Sequence, residues 1–267
     1  MLSKAKIKFI QSLGQKKKRH EERLFVAEGP KVVGDLLPYF ACKFIVAEKA
    51  WIATHPEVQA VEIIEATHED LCKASFLKTP QEVLALFELP TYPTPTDIAS
   101  RELCLALDDV QDPGNLGTII RVADWFGIRH IFCSSGTTDA YSPKTVQASM
   151  GAVARVKIHY VNLPEYLGEV KQAQPSLPLY GTFLEGANIY KEPLSSHGII
   201  IMGNEGNGIS LEIKETVTHK LFIPNYPKGS ITSESLNVAI ATAITCAEFR
   251  RRESSPTTSS TLFQKKD

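Results

Sequence analysis

The feature that most constrains this chain is a pair of apolar runs that each end abruptly in a loop of small or polar residues. The first run, 199–202, is followed by the glycine-rich loop 203–208. The second run, 221–224, is followed by a polar loop and then, from Glu234, by small residues with the pattern of a helix. In open α/β sheets, ligands bind just beyond the carboxyl ends of strands, and small side chains let backbone approach a ligand closely. The region therefore predicts two strands, a helix and a ligand site.

Ordinary tight turns are the alternative explanation for the same glycines, because glycine readily adopts positive φ. Their order is G-x-x-G-x-G rather than the G-x-G-x-x-G of dinucleotide-binding loops, and the loop lies far from the start of its domain. No G-x-x-x-x-G-K-[ST] segment occurs. The sequence thus argues against a nicotinamide, flavin or P-loop nucleotide site, and leaves the turn and the ligand site as alternatives.

Composition limits the class of protein. At 267 residues, with 43% apolar and 22% charged residues, the chain suits one large or two smaller globular domains. No apolar run reaches the roughly 20 residues of a membrane span, and the first residues lack the apolar core of a signal peptide. We therefore expect a cytoplasmic protein without a membrane partner. The five cysteines form no C-x-x-C pair and the seven histidines no H-E-x-x-H, so we predict free thiols and no metal.

Positive charge is concentrated at the start of the chain. Residues 1–23 contain eight lysines and arginines against two glutamates, in a protein whose net charge is −1. A basic cluster on a slightly acidic chain is typical of proteins that bind a phosphate backbone, so a phosphate-rich partner is one interpretation. The alternative is a solvated, partly helical arm, which charge runs commonly form.

Helix and strand patterns alternate on both sides of a proline-rich segment. Three prolines within residues 90–96 hold the backbone extended and indicate a linker. We predict an N-terminal α/β domain with a basic arm over 1–95, a second domain over 96–252, and a disordered Ser/Thr-rich tail over 253–267. The repeated strand–helix–strand order predicts an α/β fold with a mostly parallel sheet covered on both faces.

Three elements of the second domain have boundaries that bear on the site. The pattern predicts a helix that begins at Asn115 or Leu116, a strand over Val153–Ile158, and a C-terminal helix from Glu234 to about Arg251.

Three short segments give a more specific signal. They read N-L-G-T-I-I-R-V-A at 115–123, M-G-N-E-G-N-G-I at 202–209, and I-P at 223–224 leading to S-L-N-V-A at 235–239. In this order and separation they resemble the three motifs of the SpoU (TrmH-like) family of RNA 2′-O-ribose methyltransferases. The resemblance covers Leu103 to Arg251, and the preceding unit is more loosely similar to the L30e-like substrate-binding domain of that family.

The resemblance implies a SPOUT fold, in which the last strands and helix of the second domain form a deep trefoil knot, beside a small L30e-like α/β domain. It also implies a homodimer with the active site at its interface and S-adenosyl-L-methionine as the cofactor, bound by the knot loops. The cofactor contacts would be made largely by backbone near Thr182, Gly203, Ile223 and Leu236. Of these, Ile223 and Leu236 would give apolar walls to the adenine.

The family pattern assigns catalytic positions to Arg121, Asn115, Glu205, Ser235 and Asn237. Arg121 would engage the substrate phosphate and hydroxyl, and would act as a base only if its site let it lose a proton, because a guanidinium is normally protonated. Glu205 would hydrogen-bond across the site to hold Arg121 or Asn115. Asn115 would orient the loop or the ribose, while Ser235 and Asn237 would position substrate and loop. Without the motifs, these residues would be explained as a solvent-facing arginine, a turn carboxylate and helix caps.

The chemistry implied is attack of a ribose 2′-hydroxyl on a sulfonium methyl group. It needs a proton acceptor and in-line placement, and positioning alone contributes on the order of 7–11 kcal/mol. We predict an S-adenosylmethionine-dependent RNA 2′-O-methyltransferase, with ribosomal RNA preferred because a separate domain with a basic arm suits a large folded target. Transfer RNA is the alternative substrate, and a non-catalytic ribosome assembly factor on the same scaffold is the alternative function.

Overall fold

The computed structural model describes residues 2–227, 230 and 233–253 of the chain. In its first part, five helices surround a four-stranded sheet. These elements are α1 (Lys4–Ser12), α2 (Lys16–Glu22), β1 (Leu24–Glu28), α3 (Pro30–Leu36), β2 (Cys42–Ala47), α4 (Lys49–Thr54), β3 (Glu62–Glu65), α5 (His68–Ala74) and β4 (Val83–Glu88).

The first sheet has the strand order β1-β4-β2-β3 and is mixed. Its β1–β4 and β2–β4 pairs are antiparallel, whereas β2 and β3 run parallel. Alternate strand residues point to opposite faces, so Val26 and Leu86 pack beneath α1 and α5 while Phe25 and Phe87 face α3 and α4. Both faces of this small sheet are therefore covered.

The second part contains a larger sheet. Its elements are β5 (Leu103–Leu107), α6 (Pro113–Trp125), β6 (His130–Cys133), α7 (Pro143–Ser149), β7 (Lys157–Tyr160), α8 (Leu163–Ala173), β8 (Leu179–Asn188), β9 (Gly198–Met202), α9 (Leu211–Lys214), β10 (His219–Phe222) and α10 (Val238–Glu253). The strand order is β10-β8-β9-β5-β6-β7, and all five neighbouring pairs are parallel.

The prediction of an α/β fold with a parallel sheet covered on both faces is confirmed. One face carries α6, α7 and α10, with Ile120 and Phe249 in the same hydrophobic core, and the other carries α8 and α9, with Leu167 and Ile213. Because the strands are parallel, the loops that follow β5, β6, β8, β9 and β10 all leave the sheet at one edge. The candidate residues lie in or next to these loops.

The basic N-terminal segment is a packed pair of helices, which corrects the predicted basic arm. Leu13, at the end of α1, is fully buried. Arg19 of α2 is only 2% exposed, and its Nε donates to Asp139 Oδ2 at 3.0 Å while Nη1 donates to the carbonyl of Leu13 at 2.7 Å. Lys16 and Lys17 stay exposed. One of the eight cations is therefore used inside the protein, across the junction between the two sheets.

Three predicted boundaries need correction. Helix α6 begins at Pro113, because Asp112 caps it and proline fits the first helical turn. Residues 152–154 form a 3₁₀ turn after Gly151, whose φ is +88°, so the strand predicted over Val153–Ile158 begins only at Lys157. Helix α10 begins at Val238 rather than Glu234, since Asn237 caps it.

Some predictions fall on parts of the chain outside the described residues. Of the segment expected to be a disordered tail, only Glu253 is described, as the last residue of α10, and 254–267 lie outside. Within the described residues no helix is long and apolar enough to cross a membrane, and no cluster of His, Cys, Asp and Glu could hold a metal ion. All five cysteines are free, and Cys72 alone of these is exposed.

Candidate active site

The Glu205 carboxylate joins the loops that follow β5 and β9. It accepts hydrogen bonds from the backbone N–H groups of Gln111 (3.2 Å) and Asp112 (3.3 Å) and from Nδ2 of Asn115 (2.9 Å). Since β5 and β9 are neighbouring parallel strands, the two loops lie side by side at the carboxyl edge of the sheet. Of the two partners expected for Glu205, the structure gives it Asn115.

The third segment reaches the same point through Asn237. Its Nδ2 donates to Oδ1 of Asn115 at 2.9 Å, and its Oδ1 accepts from the N–H groups of Ala239 (2.9 Å) and Ile240 (3.3 Å). Asn237 is therefore both the cap of α10 and a contact of the β5 loop. Glu205, Asn115 and Asn237 form one hydrogen-bond chain across three segments that are 122 residues apart at most.

The hydrogen bonds keep Glu205 ionised. Partial burial alone would raise the pKa of this carboxyl, but the bonds from Asn115 and from backbone N–H groups outweigh burial, so its pKa is lowered. Glu205 thus acts as a fixed, charged acceptor that orients the β5 loop, rather than as a proton donor.

Asp112, which the motif reasoning did not single out, prepares Asn115 for this role. Its Oδ1 accepts the N–H of Asn115 at 2.8 Å and its Oδ2 accepts Lys144 Nζ at 3.2 Å. The bond from the Asn115 backbone is the main reason that the pKa of Asp112 is lowered. Because Asp112 caps α6, the side-chain amide of Asn115 is free to face Glu205 and Asn237.

Asn204 and Asp109 are further residues that sequence reasoning missed. Asn204 Nδ2 donates to the carbonyl of Asp109 at 2.7 Å, while its Oδ1 accepts the N–H groups of Gly206 and Asn207 at 2.9 Å each. Asp109 has φ +55° and its N–H donates to Ser134 Oγ at 2.8 Å. The N-E-G order of the loop is an Asx-turn signal and could have found Asn204, whereas nothing local indicates the role of Asp109.

Arg121 lies outside this network. It is exposed on α6, six residues after Asn115, and makes no hydrogen bond or ion pair within the described residues. Ser235 is likewise exposed, and no partner for its hydroxyl is found in the described part of the chain. The structure therefore brings together Asn115, Glu205 and Asn237, and does not bring Arg121 or Ser235 into contact with them.

The residues expected at the cofactor lie at or near the same edge. Thr182 lies in β8, and Gly203 directly follows the neighbouring strand β9. Thr182 Oγ1 lies 3.6 Å from Met202 Sδ. Ile223 follows β10 and is partly buried, while Leu236 precedes α10 and is 47% exposed. These four residues therefore lie on neighbouring strands or in the segments that follow β9 and β10.

Gly203 is required by the closure of its own loop. A Cβ built at this position would lie 2.2 Å from the carbonyl carbon of Gly208, whose φ is +69°. Asn204 and Gly208 are paired as an isolated β-bridge. The tight turn that the sequence offered as an alternative explanation for these glycines is therefore present, because Gly203 allows the loop to fold back beside the end of β9.

The comparison with known proteins decides the family. Residues 102–247 match the SpoU rRNA methylase family, and residues 4–85 match the MRM3-like substrate-binding domain. The 23S rRNA (guanosine(2553)-2′-O)-methyltransferase RlmP of Bacillus subtilis is 32% identical over 242 residues, which cover 90% of this chain and 93% of that protein. The chain belongs to the SpoU rRNA methylase family.

Solved structures of this family have the same fold. A protein of Porphyromonas gingivalis assigned to the TrmH family of RNA methyltransferases superposes with a TM-score of 0.85 at 44% identity, covering 94% of this chain and 99% of that one. An rRNA methyltransferase of Sinorhizobium meliloti with bound AdoMet superposes with a TM-score of 0.80 at 32% identity, covering 94% and 96%. These findings confirm the predicted S-adenosylmethionine-dependent RNA 2′-O-methyltransferase and its SPOUT fold.

Proposed function

We propose that this SpoU-family enzyme methylates a ribose 2′-hydroxyl in ribosomal RNA at the carboxyl edge of its second sheet. The observation that carries the proposal is the hydrogen-bond chain from Glu205 through Asn115 to Asn237, which ties all three motif segments together. The Bacillus relative is named for methylation of a guanosine in 23S rRNA, and this similarity, over nine tenths of the chain, favours ribosomal over transfer RNA.

In this proposal Asn115 orients the ribose. A side-chain amide offers two N–H donors and two acceptor lone pairs. Glu205 takes one donor and Asn237 one lone pair, which leaves one of each for a substrate hydroxyl. Both partners are held by backbone groups, so the amide is fixed before the substrate binds, and fixed placement is the main requirement of the reaction.

Arg121 and Ser235 are proposed to contact the RNA directly. Their polar groups are exposed and have no partner within the described residues, so no internal bond has to break when substrate arrives. A guanidinium can hold a phosphate through two parallel hydrogen bonds. Because it normally stays protonated, Arg121 would place the phosphate and its ribose rather than remove the hydroxyl proton.

The cofactor supplies the methyl group, and we assign its binding to Thr182, Gly203, Ile223 and Leu236. The loop closure at Gly203 presents backbone groups next to the end of β9. Ile223 and Leu236 would cover the adenine with apolar surface. The strand order, which brings β8 and β9 together and places β10 beside β8, supports this assignment.

The enzyme is proposed to act as a homodimer through the surface of α6 and α10. Trp125 is 85% exposed and Ile240 is 51% exposed on these two packed helices, an unusual amount of open apolar surface. Arg121 lies one helical turn before Trp125 on the same exposed side of α6. A second copy covering this surface would bring Arg121 to the interface, where it could complete the site of the partner subunit.

Sedimentation tests the dimer. The wild type should sediment as a dimer, and Trp125→Glu should sediment as a monomer with little methylation. Leu211→Glu is the matched control, because Leu211 of α9 is 79% exposed and lies on the opposite face of the sheet. A monomeric wild type, or a dimeric Trp125→Glu variant, would refute the interface.

The path of the chain supports a trefoil knot in the second domain. Helix α10 packs against Tyr180 of β8 through Phe249, with ring centroids 4.9 Å apart. One turn later on the same side of the helix, Arg252 donates to the carbonyl of Ile189 in the connection from β8 to β9. The C-terminal helix thus packs on β8 and on the connection that follows it, as the resemblance to knotted SPOUT domains implies.

We further propose the domain limits 1–95 and 96–252 and a cytoplasmic location. The two family matches fall on either side of residues 86–101, which supports a boundary there. Five free cysteines suit a reducing compartment.

Arg121→Ala provides the test of function. With unmodified 23S rRNA transcript and radiolabelled S-adenosylmethionine, we expect methylation to fall at least 100-fold while calorimetry gives a cofactor affinity within about threefold of the wild type, since one phosphate-holding guanidinium is worth several kcal/mol in such a site. Activity near the wild type would refute the role of Arg121. Labelling of transfer RNA alone would refute the ribosomal substrate, and a wild type that binds no cofactor would favour an assembly factor.

A further inference from the structure

Helix α2 carries lysines to the edge of the second sheet on which the candidate site lies. Tyr160 is the last residue of β7, and Lys16 Nζ lies 5.5 Å from the centroid of its ring. Asp139, in the loop after β6, holds Arg19. Since β5, β6, β7 and β9 are parallel, α2 is placed beyond the carboxyl ends of β6 and β7, beside the loops of β5 and β9.

The distance between the end of β5, near Asn115, and the end of β7, near α2, suits a single RNA strand. Neighbouring strands of a sheet are about 4.8 Å apart, so the ends of β5 and β7, two positions apart in the sheet, are separated by about 10 Å. In a nucleic-acid helix one strand has a phosphate about every 3.4 Å of axis, so about three phosphates span this distance. A strand whose ribose is held at Asn115 would therefore reach α2 within a few nucleotides.

Lys144 lies between these two points. It begins the first turn of α7, and its Nζ is 3.2 Å from Asp112, the residue that caps α6 next to Asn115. Lys144 is only five positions after Asp139, the partner of Arg19. Lysines thus occur at the rim of the site and again along α2.

The carboxylates near α2 form only weak, exposed ion pairs with its lysines. Glu21 is shared by Lys17 and Lys18, at 3.8 and 2.8 Å, and Lys16 has no carboxylate partner within the described residues. Exposed ion pairs of this kind contribute about 0–1 kcal/mol, so phosphates can replace them at small cost. Arg19 stays buried on Asp139 and holds the helix in place without contacting the solvent.

We propose that Lys16, Lys17, Lys18 and Lys144 form a phosphate-binding track for the RNA strand that leaves the active site. The inference rests on the proposed RNA methyltransferase function and adds to it the surface that holds the flanking strand. The buried Arg19–Asp139 pair fixes the track relative to the site, so the distance from the methylated ribose to the bound phosphates is set by the fold.

The test is a charge reversal with a matched control. The triple variant Lys16→Glu, Lys17→Glu, Lys18→Glu is compared with Lys191→Glu, Lys214→Glu, Lys220→Glu, which makes the same charge change on exposed lysines around β8, α9 and β10, at the other side of the sheet. Binding of unmodified 23S rRNA transcript is measured as a function of salt, together with binding of free S-adenosylmethionine and the melting temperature.

We expect the α2 variant to bind RNA at least tenfold more weakly at 0.1 M salt and its log–log salt slope to fall by about 2, since each lost phosphate contact lowers the slope by about 0.7–0.9. The control variant should keep the wild-type slope, and both should keep cofactor affinity and melting temperature. Equal slopes for the two variants would overturn the track while methylation by the wild type still stood. A wild type that binds neither cofactor nor RNA would overturn the proposed function itself.

Discussion

At the scale of one residue, the Glu205 carboxylate connects two loops of the candidate site through its hydrogen bonds. Three donors converge on it, two from backbone and one from Asn115. A glutamine has one acceptor oxygen and would turn its NH₂ group toward at least one of these donors. Hydrogen bonds to charged groups contribute about 1.5–3 kcal/mol, so the loss of one corresponds to a factor of roughly 10 to 100.

Glu205→Gln should therefore lower kcat for RNA methylation by 10- to 100-fold and change the KM for S-adenosylmethionine much less. Steady-state kinetics on unmodified 23S rRNA transcript checks this. Glu212→Gln, an exposed carboxylate on α9, serves as the control and should behave like the wild type. If Glu205→Gln retained full kcat, the carboxylate would be an ordinary turn residue.

A pair of buried histidines gives the protein a pH dependence. His130 Nδ1 and His159 Nε2 are 3.1 Å apart and both rings are over 90% buried. Burial, and next the charge of its histidine partner, lowers the pKa of His159 to about 4, and burial followed by Lys157 lowers that of His130. Unfolded histidine has a pKa near 6.5, so between pH 6.5 and 4 the unfolded chain binds protons that the folded chain excludes.

The contribution of these neutral histidines to the free energy of unfolding is therefore fully present above pH 6.5, and it is lost as the pH is lowered toward 4. We expect the free energy of unfolding to drop by about 2 kcal/mol from His159 between pH 7.5 and 5, as measured by urea unfolding. His159→Gln, which cannot titrate, should flatten the curve over this range. An equally steep curve for this variant would show that other groups cause the acid sensitivity.

Some residues of the candidate site could be predicted from the sequence and others could not. Asn115, Glu205 and Asn237 were found because the motifs place them after strands that the parallel sheet aligns. The role of Asp109 was not found, because it depends on a left-handed backbone and on contacts with Ser134 and Asn204 that no local pattern indicates. Arg121 was singled out by its motif, yet no spacing rule could say that the fold leaves it exposed and apart from Asn115 and Glu205.

At the scale of elements, the glycine loop after β9 holds the site together. A Cβ on Gly203 would collide with the backbone of Gly208, whereas the nearest atom to a Cβ on Gly206 is Asn204 Oδ1 at 3.6 Å. Gly203→Ala should thus open the loop, weaken S-adenosylmethionine binding at least tenfold and destabilise the fold by about 1–3 kcal/mol, the usual range for overpacking.

Calorimetry with the cofactor and thermal melting check this prediction, with Gly206→Ala as the matched control. The control should bind cofactor within about twofold of the wild type, since its methyl group meets only an ordinary contact. Normal cofactor binding by Gly203→Ala would mean that the loop does not shape the cofactor site.

Elements with an apolar pattern were predictable, and α2 was not. Strand β9 is confirmed because 199–202 is an apolar run that ends at a glycine-rich loop. Helix α2 reads K-K-K-R-H-E-E and offers no apolar stripe, so its sequence left open a phosphate-binding cluster and a solvated arm and did not indicate that the segment packs. It packs because Arg19 reaches a carboxylate 120 residues away, and such a tertiary ion pair has no local signature.

At the scale of the whole molecule, that ion pair and one shared core join the two sheets. Phe25 of β1 and Tyr141, in the loop before α7, have ring centroids 5.1 Å apart and belong to one hydrophobic core that spans both parts. Arg19 and Asp139 lie beside this contact, 2% and 8% exposed. The first part of the chain therefore packs directly against the second, which fixes α2 relative to the candidate site.

Removal of either charge of the Arg19–Asp139 pair should destabilise the fold, because the remaining charge is left buried without a partner. Arg19→Met should lower the free energy of unfolding by about 3–5 kcal/mol, and adding Asp139→Leu should restore much of the loss, since the remaining charge is then gone. Arg101→Met, which breaks an exposed pair with Asp97, should cost less than about 1 kcal/mol. Urea unfolding of the two single variants and the double variant gives the coupling energy. If the losses from Arg19→Met and Asp139→Leu simply added, the two charges would not be coupled, and the Arg19–Asp139 pair would not stabilise the junction.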